Sequence, residues 1–243
     1  MFPPWFHALS LGALALGGAC ALAVGIDVVR RPQKMAVMNV VWPVTALFGT
    51  VLTLWAYVRY GRASTGAATQ KAAAGQRAMP TAAQPFAATV GKAALHCGAG
   101  CMIGDVIAEW LAFAAPVVAV WLGWHTLFDE KIFADWVLDF LFAFALGIVF
   151  QYFAIVPMRN LSPGKGIVAA LKADTLSLVS WQIGMYGFMA FAQFLWFDHG
   201  FGAKAEVDTP EFWFAMQLAM IAGFLTACPV NAWLIRSGIK ERM

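Results

Sequence analysis

Charge is what this sequence has least of. Its 243 residues include 16 Lys and Arg and 13 Asp and Glu, so 12% of the chain is charged, about half the roughly 25% usual in soluble domains. That scarcity argues against a soluble protein. The net charge of +3 is too small and too scattered to attract nucleic acid. Cysteine is also scarce, and most of the 4 Cys lie inside apolar runs, where they cannot staple a secreted scaffold. The motifs of soluble enzymes are missing: no phosphate loop, dinucleotide fingerprint, Gly-x-Ser-x-Gly elbow or His-Glu-x-x-His is found. Gly164-Lys165-Gly166 is too short for a phosphate site and reads as a turn.

Apolar residues make up 61% of the chain, with 11 Trp and 20 Phe among them. A membrane-spanning helix needs about 20 mainly apolar residues. Six stretches meet this standard: 5–29, 35–57, 94–121, 132–156, 167–197 and 212–235. They are too long and too unalternating for barrel strands, and lipid offers backbone groups no partners, so helix is required. The expected fold is all-α: a polytopic integral membrane protein, a bundle of about six transmembrane helices. The first run lacks a basic flank and is too long for a cleaved signal. Gly18-Ala19-Cys20 faintly resembles a lipoprotein cleavage site, but Gly17 stands where a branched aliphatic residue belongs. The first span is therefore expected to stay attached.

Three regions follow. Residues 1–60 form a two-helix hairpin, 61–91 an Ala-rich flexible linker, and 92–243 a four-helix core. Lys and Arg in the loops orient the chain. With the N-terminus in the cytoplasm of a bacterial inner membrane, eleven fall inside and five outside, and both termini are cytoplasmic. The loop Arg30-Arg31-Pro32-Gln33-Lys34 disobeys. Either Asp27 and lipid headgroups tolerate it, or the front hairpin does not fully cross.

Ionisable groups inside a bilayer cost roughly 2.5–3.5 kcal/mol each even on a lenient scale, so they mark pathways, sites or pairs. The third span holds the densest set. Cys97, Cys101, Asp105 and Glu109 recur every four residues and line one slowly drifting helical face. His96 lies about 100° away, on the side of Gly100 and Gly104, where a second helix can approach closely. Two thiols with a carboxylate one turn on suit a soft metal, Cu(I) or Zn(II). Cys97, Cys101, His96, Asp105 and Cys228 are the candidate ligands. Asp105, Glu109 and Asp174 are candidates for proton or charge relay. Cys97, Cys101, Asp174 and Cys228 are expected to converge in one half of the membrane. Met158, Gln182, Met185, Met220 and Asn231 are secondary candidates. The plainer reading treats the thiols as small packing residues, and the Met and aromatic stripes as core.

Haem is not expected. The 4 His include no two on one helix at the separation that stacks two haems, and one pairing, His7 with His96, would be needed for a single haem. His125 and His199 read as outer-surface residues.

Several segments together resemble a known family. They are Arg31-Pro32-Gln33-Lys34-Met35, Met38-Asn39-Val40-Val41-Trp42-Pro43 and His96-Cys97-Gly98-Ala99-Gly100-Cys101 with Gly104-Asp105. Pro157-Met158-Arg159, Lys172-Ala173-Asp174-Thr175-Leu176-Ser177, Gln182-Ile183-Gly184, Pro229-Val230-Asn231 and Gly238-Ile239-Lys240-Glu241 continue the likeness. The chain resembles a bacterial family of integral membrane proteins known only as a domain of unknown function, with an HCxxGCxxGD-type segment. The resemblance implies that the acid-and-thiol segments are signature elements, and it implies no activity.

The leading expectation is therefore a membrane protein that binds or moves a metal ion, Cu(I) first, at a thiol/carboxylate site, a role that leans away from an enzyme without excluding one. A membrane redox protein holding haem, quinone or metal is one alternative. A non-catalytic subunit or assembly factor of a larger membrane complex is the other. The expected partners are the lipid bilayer and either copies of itself or that larger complex, with no nucleic acid.

Overall fold

Each long apolar run is helical in the computed structural model, which describes residues 2–33, 35–62 and 84–241, with the side chain of Met158 outside the description. The expected linker, 61–91, lies for the most part outside the described residues. The helices are α1 (Pro4–Arg30), α2 (Met38–Ala56), α3 (Phe86–Ala114), the short α4 (Val117–Trp121), α5 (Lys131–Arg159), α6 (Pro163–Ala190), the short α7 (Asp198–Phe201) and α8 (Pro210–Arg236). Pro4, Pro163 and Pro210 open their helices, where a missing N–H costs nothing and the fixed φ suits the first turn. Asn160 closes α5 in the left-handed conformation.

By length and composition, five helices can cross a membrane: α1, α2 with its extension to Gly61, α3, α5 and α8. The fifth expected span, α6, is as long but more polar. It buries Asp174, Ser177 and Gln182 inside the bundle and turns Leu176 and Ile183 outward, so its polarity is paid for within the protein. The chain is an all-α polytopic membrane protein.

One of the five does not run straight. Thr50 interrupts α2 at φ 45°, ψ −125°, and the helix folds back on itself there. Trp42 and Tyr57 would be about 22 Å apart along a straight helix, yet their rings meet with centroids 5.5 Å apart. Gly61 also reaches the Trp42 indole, and Thr53 Oγ1 donates to the Thr45 carbonyl at 3.3 Å. The first limb runs antiparallel to α1, with Pro43 beside Gly25 and Leu47 against Gly17. The tip therefore stops near the midpoint of α1. Backbone freed at that depth needs a partner inside the protein, and Gln217 of α8 supplies it, donating to Leu47 O at 2.7 Å. At its base the hairpin is tied to α1: Tyr57 and Arg62 both donate to Asp27 at 2.9 Å.

This turn also fixes which end of the bundle each described end of the chain reaches. With α2 returning to its own side, the N-terminus lies at the opposite end of the bundle from the segment after α8. His7 bonds Glu211 at the start of α8 at 2.8 Å, and Phe6 packs on Phe214. The other end holds Lys240 and the ion pair of Arg159 with Glu241. Residues 2–7 and 240–241 thus lie at opposite ends of the bundle, and residues 30–33 share the end that carries most other Lys and Arg among the described residues.

The core forms around α3, whose buried residues are mostly Gly, Ala and Cys. Gly100 abuts Gly147 of α5, and a Cβ on Gly104 would lie 2.5 Å from the Ala143 nitrogen. These contacts bring two backbones together as the sequence predicts, since lipid drives no helix association and close packing must. Gly98 makes room for the buried Trp181 indole of α6.

Candidate functional site

Close packing of α3 against α5, α6 and α8 leaves its polar face no access to lipid. Cys97, Cys101, Asp105 and Glu109 are all buried, and the four-residue ladder meets polar groups from each neighbour.

At one end α6 presents Asp174 and Ser177 one turn apart. Cys97 Sγ lies 2.7 Å from Asp174 Oδ1 and 3.1 Å from Ser177 Oγ. Asn231 of α8 donates to Ser177 Oγ at 2.6 Å. The segment after α8 turns back and inserts Lys240, whose ammonium donates to Asp174 Oδ1 at 2.7 Å and Cys97 Sγ at 3.0 Å. Both members of this ion pair have fully buried side chains. Burial by itself would lower the Lys240 pKa, but the Asp174 charge and the bonds to Asp174 and Cys97 outweigh it and hold the ammonium above the usual lysine range. His96 sits beside Cys97 in the sequence, fully buried against the Phe150 ring, with neither ring nitrogen hydrogen-bonded.

Cys101 continues the face, also buried and with no side-chain hydrogen bond to a neighbouring helix. Beyond it the acids begin. Gln182 of α6 reaches Asp105 Oδ1 at 3.4 Å and Tyr186 Oη at 3.2 Å. From α5, Asp135 and Asp139, one turn apart, face the Asp105–Glu109 pair, with Asp139 in electrostatic reach of both. Lys131 donates to Asp135 at 2.7 Å. Several carboxylate oxygens here are buried without a partner: Asp105 Oδ2, Glu109 Oε1, Asp135 Oδ1 and both of Asp139.

The acid ladder opens into a cavity of about 320 Å³ at the end that holds the N-terminus. Glu109, Asp135, Lys131, Trp124 and Gln193 line it, with Lys204 and Glu206 from the loop before α8. Gln193 clamps that loop twice, accepting from Ala205 N at 2.9 Å and donating to Ala205 O at 2.8 Å. Lys204 and Glu130 pair at 2.7 Å across the mouth.

Of the expected convergence, Cys97 and Asp174 meet. Cys228 stands apart, half-buried against Val90, Ala93 and Ile235. Gln182 and Asn231 join the polar groups, whereas Met185 and Met220 are buried in the apolar core. The Met158 side chain lies outside the described residues. Among the described residues no group of three or more His, Cys, Asp and Glu is placed to hold a metal ion. The His7–His96 pairing fails, because His7 is at the far end of the bundle on Glu211. His125 and His199 are exposed, as expected.

Sequence reasoning passed over Lys240, Asp135, Asp139, Ser177 and Tyr186. Asp139 was visible as an acid seven residues inside an apolar run. Lys240 lay in a segment that carries the family resemblance, but nothing in its position signalled burial, since it reads as one more basic residue after a span.

A helical bundle with a half-crossing hairpin and a buried polar file defines a polytopic membrane protein. The chain belongs to the family described as Domain of unknown function (DUF4396), which matches residues 88–240. That stretch contains α3 from its first turn onward, α4 to α8 and every residue of the polar file, while α1 and the hairpin precede it. No curated protein and no solved structure matches the chain.

Proposed function

We propose that this protein moves a cation across the membrane, with the buried side chains along α3 as its path. One observation carries the reading: polar and ionisable groups follow one another from Lys240 and Asp174, past Cys97 and Cys101, to Asp105, Asp139, Glu109 and the cavity at Asp135. From Cys97 to Glu109 this is about 18 Å of helix, more than half of a hydrocarbon core of about 30 Å. Buried charges of this kind serve passage or pairing. The four acids Asp105, Glu109, Asp135 and Asp139 are more than pairing needs, since Lys131, on Asp135, is the one ammonium bonded to them among the described residues. Protons or a passing cation therefore complete the charge balance.

The cargo expected from the thiols is a metal ion, Cu(I) first, which would move through the file rather than reside in it. Half-crossing hairpins with irregular backbone at membrane depth suit such passage, because they put polar backbone beside a path. The end bearing Arg30, Arg31, Arg62, Arg159, Lys165, Lys172 and Arg236 is assigned to the cytoplasm of an inner membrane, with Lys131 and Lys204 outside. The N-terminus is then external.

Purified protein in liposomes tests this. A Cu(I) or Ag(I) gradient should drive uptake with a proton movement reported by an internal pH dye. Asp139→Asn should cut the rate by roughly 100-fold, the scale of losing a positioned proton carrier. Wild-type vesicles no more permeable than empty ones would sink the proposal.

A further inference from the structure

Lys240 enters the bundle from an exposed stretch. Arg236, Ser237, Gly238 and Ile239 are all exposed, and then Lys240 is buried. Gly238 makes the turn at φ 70°, a conformation that favours glycine. Among the described residues, backbone bonds from Ser237, Gly238, Ile239 and Lys240 to the last turn of α8, the Ser237 hydroxyl on Trp233 O and the surface pair of Glu241 with Arg159 hold the segment in place, so every tie except the ammonium is to α8 itself or at the surface. The ammonium sits in a pocket with spare acceptors: Asp174 Oδ2 and Asn231 Oδ1 are buried and have no partner. A cation placed there would meet oxygen from Asp174, Ser177 and Asn231 and sulfur from Cys97.

We infer that Lys240 is a tethered stand-in for the cargo, occupying a site for a soft monovalent cation built from Cys97, Asp174, Ser177 and Asn231. The inference rests on the translocation reading above and names the charge and softness of its cargo. Charge balance selects monovalence with Cys97 kept as the neutral thiol that donates to Asp174 Oδ1, so that the site carries the single charge of Asp174. Asp174 is the carboxylate bonded to Lys240, and one ammonium now neutralises it, so one positive charge must replace Lys240 when it leaves. A divalent ion would leave an excess charge in the membrane interior. Sulfur in the donor set selects a soft ion, Cu(I) or its analogue Ag(I), over Na⁺. Withdrawal of the segment at Gly238 then exposes the site to the basic end of the bundle, and its return expels the cation.

Full-length protein in mild detergent, titrated with Ag(I) by calorimetry, tests the site without requiring transport. Lys240→Met should bind about one further equivalent of Ag(I) relative to wild type, and Lys240→Arg should not. The gain should vanish in Lys240→Met/Cys97→Ser and in Lys240→Met/Asp174→Asn. A folded Lys240→Met protein that gains no equivalent overturns the inference. If that variant fails to fold, wild type decides: saturating Ag(I) should raise modification of Lys240 by an amine reagent, read by mass spectrometry, and unchanged labelling overturns it. Binding without liposomal flux would remove the translocation reading and leave the site, whereas flux with no gained equivalent would do the reverse.

Discussion

Trp42 and Tyr57 pack edge to face with ring centroids 5.5 Å apart and an interplanar angle of 64°, although they stand near opposite ends of one apolar run. That contact requires the run to turn back on itself. Single cysteines introduced at Ala36, Arg62 and Ser237, in a background without the native cysteines, should react with an impermeant maleimide from the same side of sealed vesicles. Cysteines at Pro3 and Gly202 should react from the other. Labelling of positions 36 and 62 from opposite sides would disprove the half-crossing hairpin.

Thr50 stands at φ 45°, which a β-branched residue adopts at a cost of about 1–2 kcal/mol. Thr50→Gly should therefore preserve or raise the melting temperature in detergent, and Thr50→Val should not. Gln217→Leu deprives the Leu47 carbonyl of its donor and should destabilise by about 1–3 kcal/mol, the usual cost of a buried group left unbonded.

The α3–α5 contact admits no side chain at Gly104, where a Cβ would fall on the Ala143 backbone. Gly104→Leu should cost about 3 kcal/mol or more, since backbone and not a flexible side chain must move. Gly12→Leu on α1, with nothing within 4 Å, should leave the melting temperature unchanged. Equal losses at both positions would mean that α3 and α5 do not pack this way.

Removing Lys240 leaves Asp174 buried and unpaired. Lys240→Ala should destabilise by roughly 3–5 kcal/mol, and Lys240→Ala/Asp174→Asn should recover most of it. The pH dependence has a definite sign. Because the folded ammonium titrates above the ordinary lysine range, its contribution is complete below about pH 10 and is lost only as pH rises through the folded value. The difference in melting temperature between wild type and the double variant should thus be flat from about pH 6 to 9. A difference that falls with rising pH across that window would show that Lys240 is not held as a buried ammonium.

Much of the site was legible in periodicity. Cys97, Cys101, Asp105 and Glu109 share a helical face whatever surrounds them, and Gly100 with Gly104 marks where a second backbone comes close. Cys228 misled because spacing along α8 says which residues share a side, but not which neighbour that side meets. Asp139 and Asp135 gained meaning only when α5 brought them opposite the acids of α3. The loop at Arg30 and Arg31 pointed to the same hairpin: hydropathy sees in the 24 residues Met38–Gly61 a stretch apolar enough to cross and cannot see that Thr50 bends it back.

The sequence by itself determined the solvent, the helical class and the intramembrane groups on α3, because scarce charge and local period need no partner to be read. Tertiary structure decided the fold-back of α2, the facing acids of α5 and the insertion of Lys240. Each of these depends on which surfaces meet across long sequence separations, where one bend or one turn at glycine moves a charged side chain from water into the core.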